Sequence, residues 1–179
     1  MQSRKRLFAL AATSAVCALV VGCGGGGQSD VVEVAPTGVG PTLAYLKRTN
    51  ALPDLDISTA VAGTDANADG VRDDVEKYIS VLPDTVAQKA AATGLAKGLQ
   101  LSLTLNPADP AAVSAAAKAI DVSMACLWKL HPGDTAMNRA KTLQAFSVNT
   151  IERLRVYDKF NFALNGTASE LPTGVNCNG

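Results

Sequence analysis

The sequence predicts an all-α fold, a small helical bundle of about four to five helices. Apolar residues recur at three- and four-residue intervals in several segments, a spacing that places them on one side of an α-helix. No segment alternates apolar and polar residues for long enough to form a β-strand. Proline or glycine separates the helical segments from one another, at Pro83, Pro110, Pro132 and Gly166.

The first part of the predicted domain, which covers residues 42–179, is expected to be only partly helical. Residues 42–51 can form a short helix, and Pro53 ends it because proline cannot continue a helix. The aspartate-containing stretch over residues 54–64 is expected to be irregular. A second helix is predicted over residues 73–81.

The next segment, residues 84–103, is predicted to form a helix capped by Asp84. Small residues recur at every fourth position of this segment: Ala90, Gly94, Gly98 and Ser102. Such a stripe lets two helix backbones approach closely. We predict that it packs within the bundle, and a dimer face is the alternative.

Two further helices complete the predicted bundle. Residues 110–130 form the first of them, with Asp109 as the N-cap and Pro110 at the first helical position. Asp134 then caps a single long helix that runs from residue 135 to about residue 164, where an Asn-Gly pair ends it.

Residues 1–22 have the features of a signal peptide. Three basic residues, Arg4, Lys5 and Arg6, precede an uncharged apolar run over residues 7–21. That run is shorter than the roughly 20 apolar residues that a membrane-spanning helix needs. We therefore predict export of the chain, and we expect no later segment to span a membrane.

The leader ends in Val20-Val21-Gly22-Cys23, which resembles the lipobox of bacterial lipoproteins. In that family the leader is cut before the cysteine, so the resemblance implies a lipid anchor on Cys23. The family usually has Leu and then a small residue where this chain has two valines. Gly24 implies the outer membrane of the cell envelope if the cell is Gram-negative. The alternative is an ordinary signal peptide cut nearby, with Cys23 as a free thiol.

Residues 23–41 are predicted to form a flexible tether between the lipid and the domain. They begin with the lipidated cysteine and four consecutive glycines, and few apolar residues follow. A flexible coil of this length spans about 25 Å on average.

Export also bears on Cys126 and Cys177, the two cysteines that remain in the domain. An even pair in an oxidising compartment predicts a disulfide. Closing a loop of about 50 residues would stabilise the fold by about 4 kcal/mol in the chain-entropy model. The alternative is one buried, inert thiol on a helix and one thiol in a frayed tail.

Residues 65–76 match the calcium-loop pattern of EF-hands at every specified position. A hard cation takes six to eight oxygen ligands, and a tight loop with a glycine at its sharp turn, here Gly70, directs alternate side chains inward. The resemblance implies a calcium site in which Asp65, Asn67 and Asp69 supply side-chain oxygens and Val71 its backbone carbonyl. Asp73 would bind directly or through water, and Glu76 would bind with both carboxylate oxygens.

The loop departs from paired EF-hands in two ways. Arg72 stands where paired hands have an aliphatic residue, and no second loop is present in the chain. The loop is therefore more similar to the single calcium loops of bacterial extracellular proteins and of thrombospondin type 3 repeats. A structural role is expected, in which calcium holds residues 54–64 to the bundle. The alternative is a polar turn that merely starts a helix.

Composition and missing motifs restrict the functional class. Lys and Arg number 16 and so do Asp and Glu, and loss of the leader removes three of the basic residues. No basic excess is left to neutralise phosphates, so we expect no nucleic-acid partner. The only histidine, His131, lies at a predicted helix end without the partners of a catalytic triad.

The leading hypothesis is a non-enzymatic interaction or structural module of the cell envelope, anchored by lipid and stabilised by calcium, with an unidentified protein or envelope partner. The first alternative is an envelope hydrolase that acts on cell-wall material, and a deep pocket with two or more acids outside the loop would favour it. The second alternative is a small-ligand carrier, which a large apolar cavity between the helices would favour.

Overall fold

The structure is a computed structural model, and it describes residues 53–177. Within that range the chain forms five α-helices and no β-strand, so the predicted all-α fold is confirmed. The helices are α1 (Asp73–Ser80), α2 (Val86–Thr104), α3 (Pro110–Leu130), α4 (Thr135–Ser147) and α5 (Ile151–Ala163). Four predicted features lie outside the described residues. They are the signal peptide, the lipid on Cys23, the tether and the helix over residues 42–51.

Helix α2 is the centre of the bundle, because it packs against each of the other four helices. Leu95 and Leu99 of α2 are buried in one cluster with Leu127 of α3 and Leu143 of α4. Burial of a leucine side chain stabilises a fold by about 1.5–3 kcal/mol. The core therefore depends chiefly on α2 and on the helices that enclose it.

Glycines in α2 allow α3 to approach closely. A Cβ atom added to Gly94 would lie 2.8 Å from Ser123 Oγ, and one added to Gly98 would lie 2.8 Å from Ile120 Cγ1 and 3.1 Å from Ile120 N. A side chain at either position would require its neighbour in α3 to shift. The predicted small-residue stripe thus packs within the bundle, against α3.

The prediction of one long helix over residues 135–164 is wrong. The chain forms α4 and α5 instead, and Val148 leaves the helical conformation at φ −108° and ψ 41°. Thr150 is extended, and its hydroxyl accepts the N–H of Arg153 at 3.3 Å, which caps α5. The break over residues 148–150 gives the bundle a corner between α4 and α5.

The predicted caps agree with the structure in one case of three. The Asp109 carboxylate accepts the N–H groups of Ala111 and Ala112, as an N-cap should. Thr85 rather than Asp84 caps α2, through a capping box with Gln88. Asp134 occupies the N-cap position of α4, but its side chain makes no capping hydrogen bond.

Cys126 on α3 and Cys177 lie at disulfide distance, with their sulfurs 2.08 Å apart. The predicted pairing of these two cysteines is therefore present. Lys129 Nζ also donates to the carbonyl of Val175 at 3.1 Å. Both contacts fasten the chain beyond α5 to α3.

Helix α3 is long and apolar enough to cross a membrane by length and composition, and it is the one helix among residues 53–177 that meets this criterion. This differs from the expectation that no segment after the leader qualifies. The helix packs along α2 and α4, where Leu127 is buried, and its Val113 and Ala116 are buried with Phe160 of α5. These contacts identify α3 as a helix of the bundle.

Candidate metal centre

Residues 65–76 connect the irregular stretch over residues 53–64 to the first turn of α1. The backbone enters the left-handed region twice, at Ala68 with φ +55° and at Gly70 with φ +87°. Glycine adopts such a conformation without steric cost, so Gly70 suits the sharp turn that the motif predicts. The two positions reverse the chain within a few residues and make the loop compact.

Three side chains of the loop fold back onto its own backbone. Asp65 accepts the N–H of Asp69 at 3.1 Å with Oδ1 and the N–H of Gly70 at 2.9 Å with Oδ2. Asn67 Oδ1 accepts the N–H of Asp69 at 3.1 Å, and Asp69 Oδ1 accepts the N–H of Val71 at 2.8 Å. These bonds direct the oxygens of alternate residues toward the inside of the turn.

The two ends of the loop meet. The N–H of Asp73 donates to the carbonyl of Thr64 at 2.9 Å, and Asp73 Oδ1 accepts the N–H of Ala66 at 2.9 Å. Asn67 Nδ2 lies 3.3 and 3.4 Å from the carboxylate oxygens of Glu76. The third and twelfth positions of the motif therefore face each other across the loop.

Whether these residues suit calcium depends on their donor atoms. Among residues 53–177, no three His, Cys, Asp or Glu side chains form a metal-binding cluster as they stand. The carboxylates of Asp65, Asp69 and Asp73 each accept backbone N–H groups. Two further oxygens that could bind a metal ion belong to the Asn67 side-chain amide and the Val71 backbone carbonyl, which are neither His, Cys, Asp nor Glu side chains. The set consists only of oxygens, as calcium prefers, so the residues fit this ion.

Arg72 joins the loop to the bundle. Its side chain is 1% exposed, and its guanidinium donates to both carboxylate oxygens of Asp74, at 2.8 and 2.6 Å. It also donates to the carbonyls of Phe146 and Ser147 at the end of α4, at 3.0 and 3.2 Å. A Cβ on Gly63, which has φ +66°, would collide with the Arg72 side chain. The residue that departs from the EF-hand pattern thus supplies the link that a second loop would otherwise make.

Arg153 of α5 is a second buried arginine, 0% exposed, and the sequence analysis did not identify it. It donates to the carbonyls of Asp56, Ala60 and Val61 and to Asn149 Oδ1. Three carbonyls on one buried guanidinium hold the irregular stretch against α5. The side of α5 that is buried contains only Arg153 and Phe160, so no apolar stripe in the sequence marks it.

The two arginines have separate acidic partners, Asp74 for Arg72 and Asp56 for Arg153, and these partners are linked to each other. Asp74 Oδ2 accepts the N–H of Asp56 at 2.7 Å, and the Asp56 carboxylate lies 3.4 Å from Arg153 Nη2. Paired in this way, the charges satisfy one another in a region that excludes much of the solvent. Residues 53–64, the calcium-type loop and the α4–α5 corner therefore form one connected network.

Charges in this network shift three pKa values. Burial alone would raise the pKa of Asp74, but hydrogen bonds from Arg72 and from the N–H of Asp56 outweigh it and hold the pKa below its ordinary value. Hydrogen bonds from Ser58 lower the pKa of Asp56, and the positive charge of Arg153 acts in the same direction. Burial, with the nearby charge of Arg72, lowers the pKa of Arg153.

A groove lies between α3 and the chain that follows α5, and its volume is about 400 Å³. Its walls are mainly apolar, with Val113, Ala117 and Leu164 among them, and it opens to solvent. Asp121 and Glu170 also line it. Its two acids are a feature expected of the envelope hydrolase, and its apolar surface is a feature expected of the small-ligand carrier.

His131 ends α3, as predicted, but it is buried rather than on the surface. Its Nδ1 lies 3.4 Å from Gln88 Nε2 of α2. This contact connects two helix ends, and neither residue lines the groove.

No family model, curated protein or solved structure matches the chain.

Proposed function

We propose that this chain is a lipid-anchored protein of the cell envelope whose domain is stabilised by calcium and acts as a non-enzymatic interaction or structural module. The observation that carries the proposal is the loop over residues 65–76, in which the side chains at alternate positions already turn inward and Arg72 connects the loop to the bundle.

Calcium would be held by the six residues that the motif specifies: Asp65, Asn67, Asp69, Val71, Asp73 and Glu76. Several carboxylates within one short loop repel one another, and a divalent cation removes that repulsion. A single loop of this kind binds calcium in the extracellular range, with a Kd of about 10⁻⁴ to 10⁻³ M. Its role would be structural, because the loop leads into Arg72 and the network that holds residues 53–64.

The compartment follows from the leader. A lipid on Cys23 would keep the domain at the membrane, on a tether of about 25 Å. The Cys126–Cys177 pair at disulfide distance suits an oxidising compartment, where the loop would also meet external calcium. The partner would be another protein or a component of the envelope.

Thermal melts of the full chain in detergent, with calcium and with chelator, test the calcium proposal. With calcium at about ten times its Kd, linkage adds about 1.4 kcal/mol to the free energy of unfolding, which raises Tm by about 4 °C. The double variant Asp65→Asn with Glu76→Gln should lose this shift, whereas Asp158→Asn, on the exposed side of α5, should keep it. Identical melting of the wild type under both conditions would sink the calcium proposal.

The anchor is tested in cells by the variant Cys23→Ser. The wild type should stay in the membrane fraction and carry a lipid-sized mass increase, and the variant should lack both properties. A wild-type chain without the added mass would remove the lipid from the proposal.

The groove beside α3 favours one competing function. Asp121 and Glu170 line it, and a pair of carboxylates is the usual machinery of an enzyme that hydrolyses cell-wall glycans. If the chain is such a hydrolase, purified protein releases sugar fragments from cell-wall material, and Asp121→Asn or Glu170→Gln abolishes the release.

A further inference from the structure

Lys97 of α2 faces the calcium-type loop from outside it. Its Nζ lies 3.7 Å from Asp69 Oδ2. The other oxygen of that carboxylate, Oδ1, already accepts the N–H of Val71. Oδ2 is the oxygen of Asp69 that faces the ammonium group of Lys97.

Neither partner of this ion pair is locked in place. The side chain of Lys97 is 47% exposed and that of Asp69 is 30% exposed. A lysine has a flexible four-carbon chain, so its ammonium group is not fixed in one position. The ion pair is thus a contact that an arriving cation can displace.

We propose that Lys97 acts as an internal counter-ion that competes with calcium for Asp69 and lowers the calcium affinity of the loop. This inference rests on the calcium site proposed above and identifies a residue that sets its affinity. When calcium is absent, the ammonium group partly neutralises the loop acids. When calcium binds, the same group must withdraw or repel the ion.

This role predicts two effects of opposite sign for Lys97→Met. Calcium affinity should rise, because the competing charge is gone. Stability without calcium should fall, because the loop acids lose their counter-ion. A lysine that merely makes a surface ion pair would leave the calcium affinity unchanged, so the affinity measurement separates the two roles.

The size of the effect follows from the charges. A divalent and a monovalent cation about 6 Å apart repel one another, even in bulk water, by a free energy that corresponds to about a tenfold change in affinity. Salt screens part of this repulsion. We expect Lys97→Met to bind calcium about three to ten times more tightly than the wild type, with the larger effect at low ionic strength.

The experiment is calcium titration by calorimetry on the full chain in detergent, together with thermal melts in chelator. Lys141→Met is the matched control, because Lys141 is exposed on α4 and its removal changes the net charge equally. Lys97→Arg keeps the positive charge and should retain the wild-type affinity. Lys97→Met should bind more tightly than all three other proteins and melt at a lower temperature in chelator.

Equal calcium affinities for Lys97→Met and Lys141→Met would overturn the inference and leave the calcium site intact. A wild type and variants that all fail to bind calcium would overturn the proposed site and this inference with it. A wild type that fails to bind while Lys97→Met binds would support the inference in its strongest form.

Discussion

Arg72 illustrates how one residue can change the meaning of a motif. Paired EF-hands have an aliphatic residue at this position, so Arg72 is a departure from their pattern. In the structure its guanidinium is buried and contacts Asp74, Phe146 and Ser147. Arginine suits such a position because its planar group offers five donors in a fixed arrangement.

Replacement of Arg72 should therefore be costly. Arg72→Ala removes the guanidinium from the partly buried Asp74 carboxylate and from two carbonyls, and the loss of one partner from a buried pair costs about 3–5 kcal/mol. Arg72→Lys retains the charge but cannot make all of these bonds, so we expect an intermediate loss. Urea unfolding in chelator measures both.

The control for this prediction is Arg155→Ala, which removes an exposed arginine of α5 and should change stability by less than about 0.5 kcal/mol. Equal losses for Arg72→Ala and Arg155→Ala would contradict the role given to Arg72.

At the scale of elements, the helices that the sequence predicted best are those with local signals. The Asp109 carboxylate caps the first N–H groups of α3 and Pro110 is its first residue, so neighbouring residues were sufficient to predict this boundary. The α4–α5 break is different, because Arg72 binds the carbonyl of Ser147 from 75 positions away in the chain. A contact over that distance leaves no periodic trace in the sequence of α4 or α5.

The calcium-type loop has both kinds of feature. Its turn at Gly70 and its inward side chains follow from the local motif, and the structure has the turn where the motif predicts it. Its attachment to the bundle through Arg72 depends on residues 146–149. The attachment of the preceding stretch through Arg153 depends on the carbonyls of Asp56, Ala60 and Val61. Only the fold brings these together, and the sequence therefore gave no account of that attachment.

The close approach of α2 and α3 leads to a prediction for two matched variants. A Cβ at residue 98 would lie 3.1 Å from the backbone nitrogen of Ile120, whereas at residue 94 the nearest atom is the hydroxyl oxygen of Ser123. A hydroxyl can rotate away and a backbone cannot. In Gly98→Ala, overpacking should lower the free energy of unfolding by about 1–3 kcal/mol. The higher helix propensity of alanine offsets about 1 kcal/mol of that loss.

Gly94→Ala is the internal comparison and should cost less than Gly98→Ala in the same urea titration. If both variants are as stable as the wild type or more so, the helix axes are farther apart than described and the small-residue stripe has another role.

At the scale of the whole molecule, ion pairs connect the first described residues to the last helices. Asp56 lies 3.4 Å from Arg153 Nη2, and the two residues are 97 positions apart. A lowered pKa of Asp56 means that its carboxylate binds protons less readily in the folded state than in the unfolded state. This contribution to stability is complete above the unfolded pKa of about 3.9 and is lost as the pH falls through the folded value.

The wild type should therefore melt a few degrees above Asp56→Asn at neutral pH, and the difference should shrink as the pH falls below about 4. Melts across this pH range in chelator measure the effect without a contribution from calcium. Asp158→Asn, on the exposed side of α5, should show no comparable convergence with the wild type. A difference between wild type and Asp56→Asn that grows toward low pH would contradict the assignment.

The attachment of residues 53–64 has a mechanical consequence. If the chain carries the lipid anchor proposed above, a pulling force applied through that anchor would reach residues 53–64 before it reaches the five helices. The stretch is held by side-chain bonds to Arg153 and, through Asp74, to Arg72, rather than by a helix of its own. Under tension, residues 53–64 would peel away from the bundle before any helix unwinds, which lengthens the tether while α2 and its neighbours stay folded.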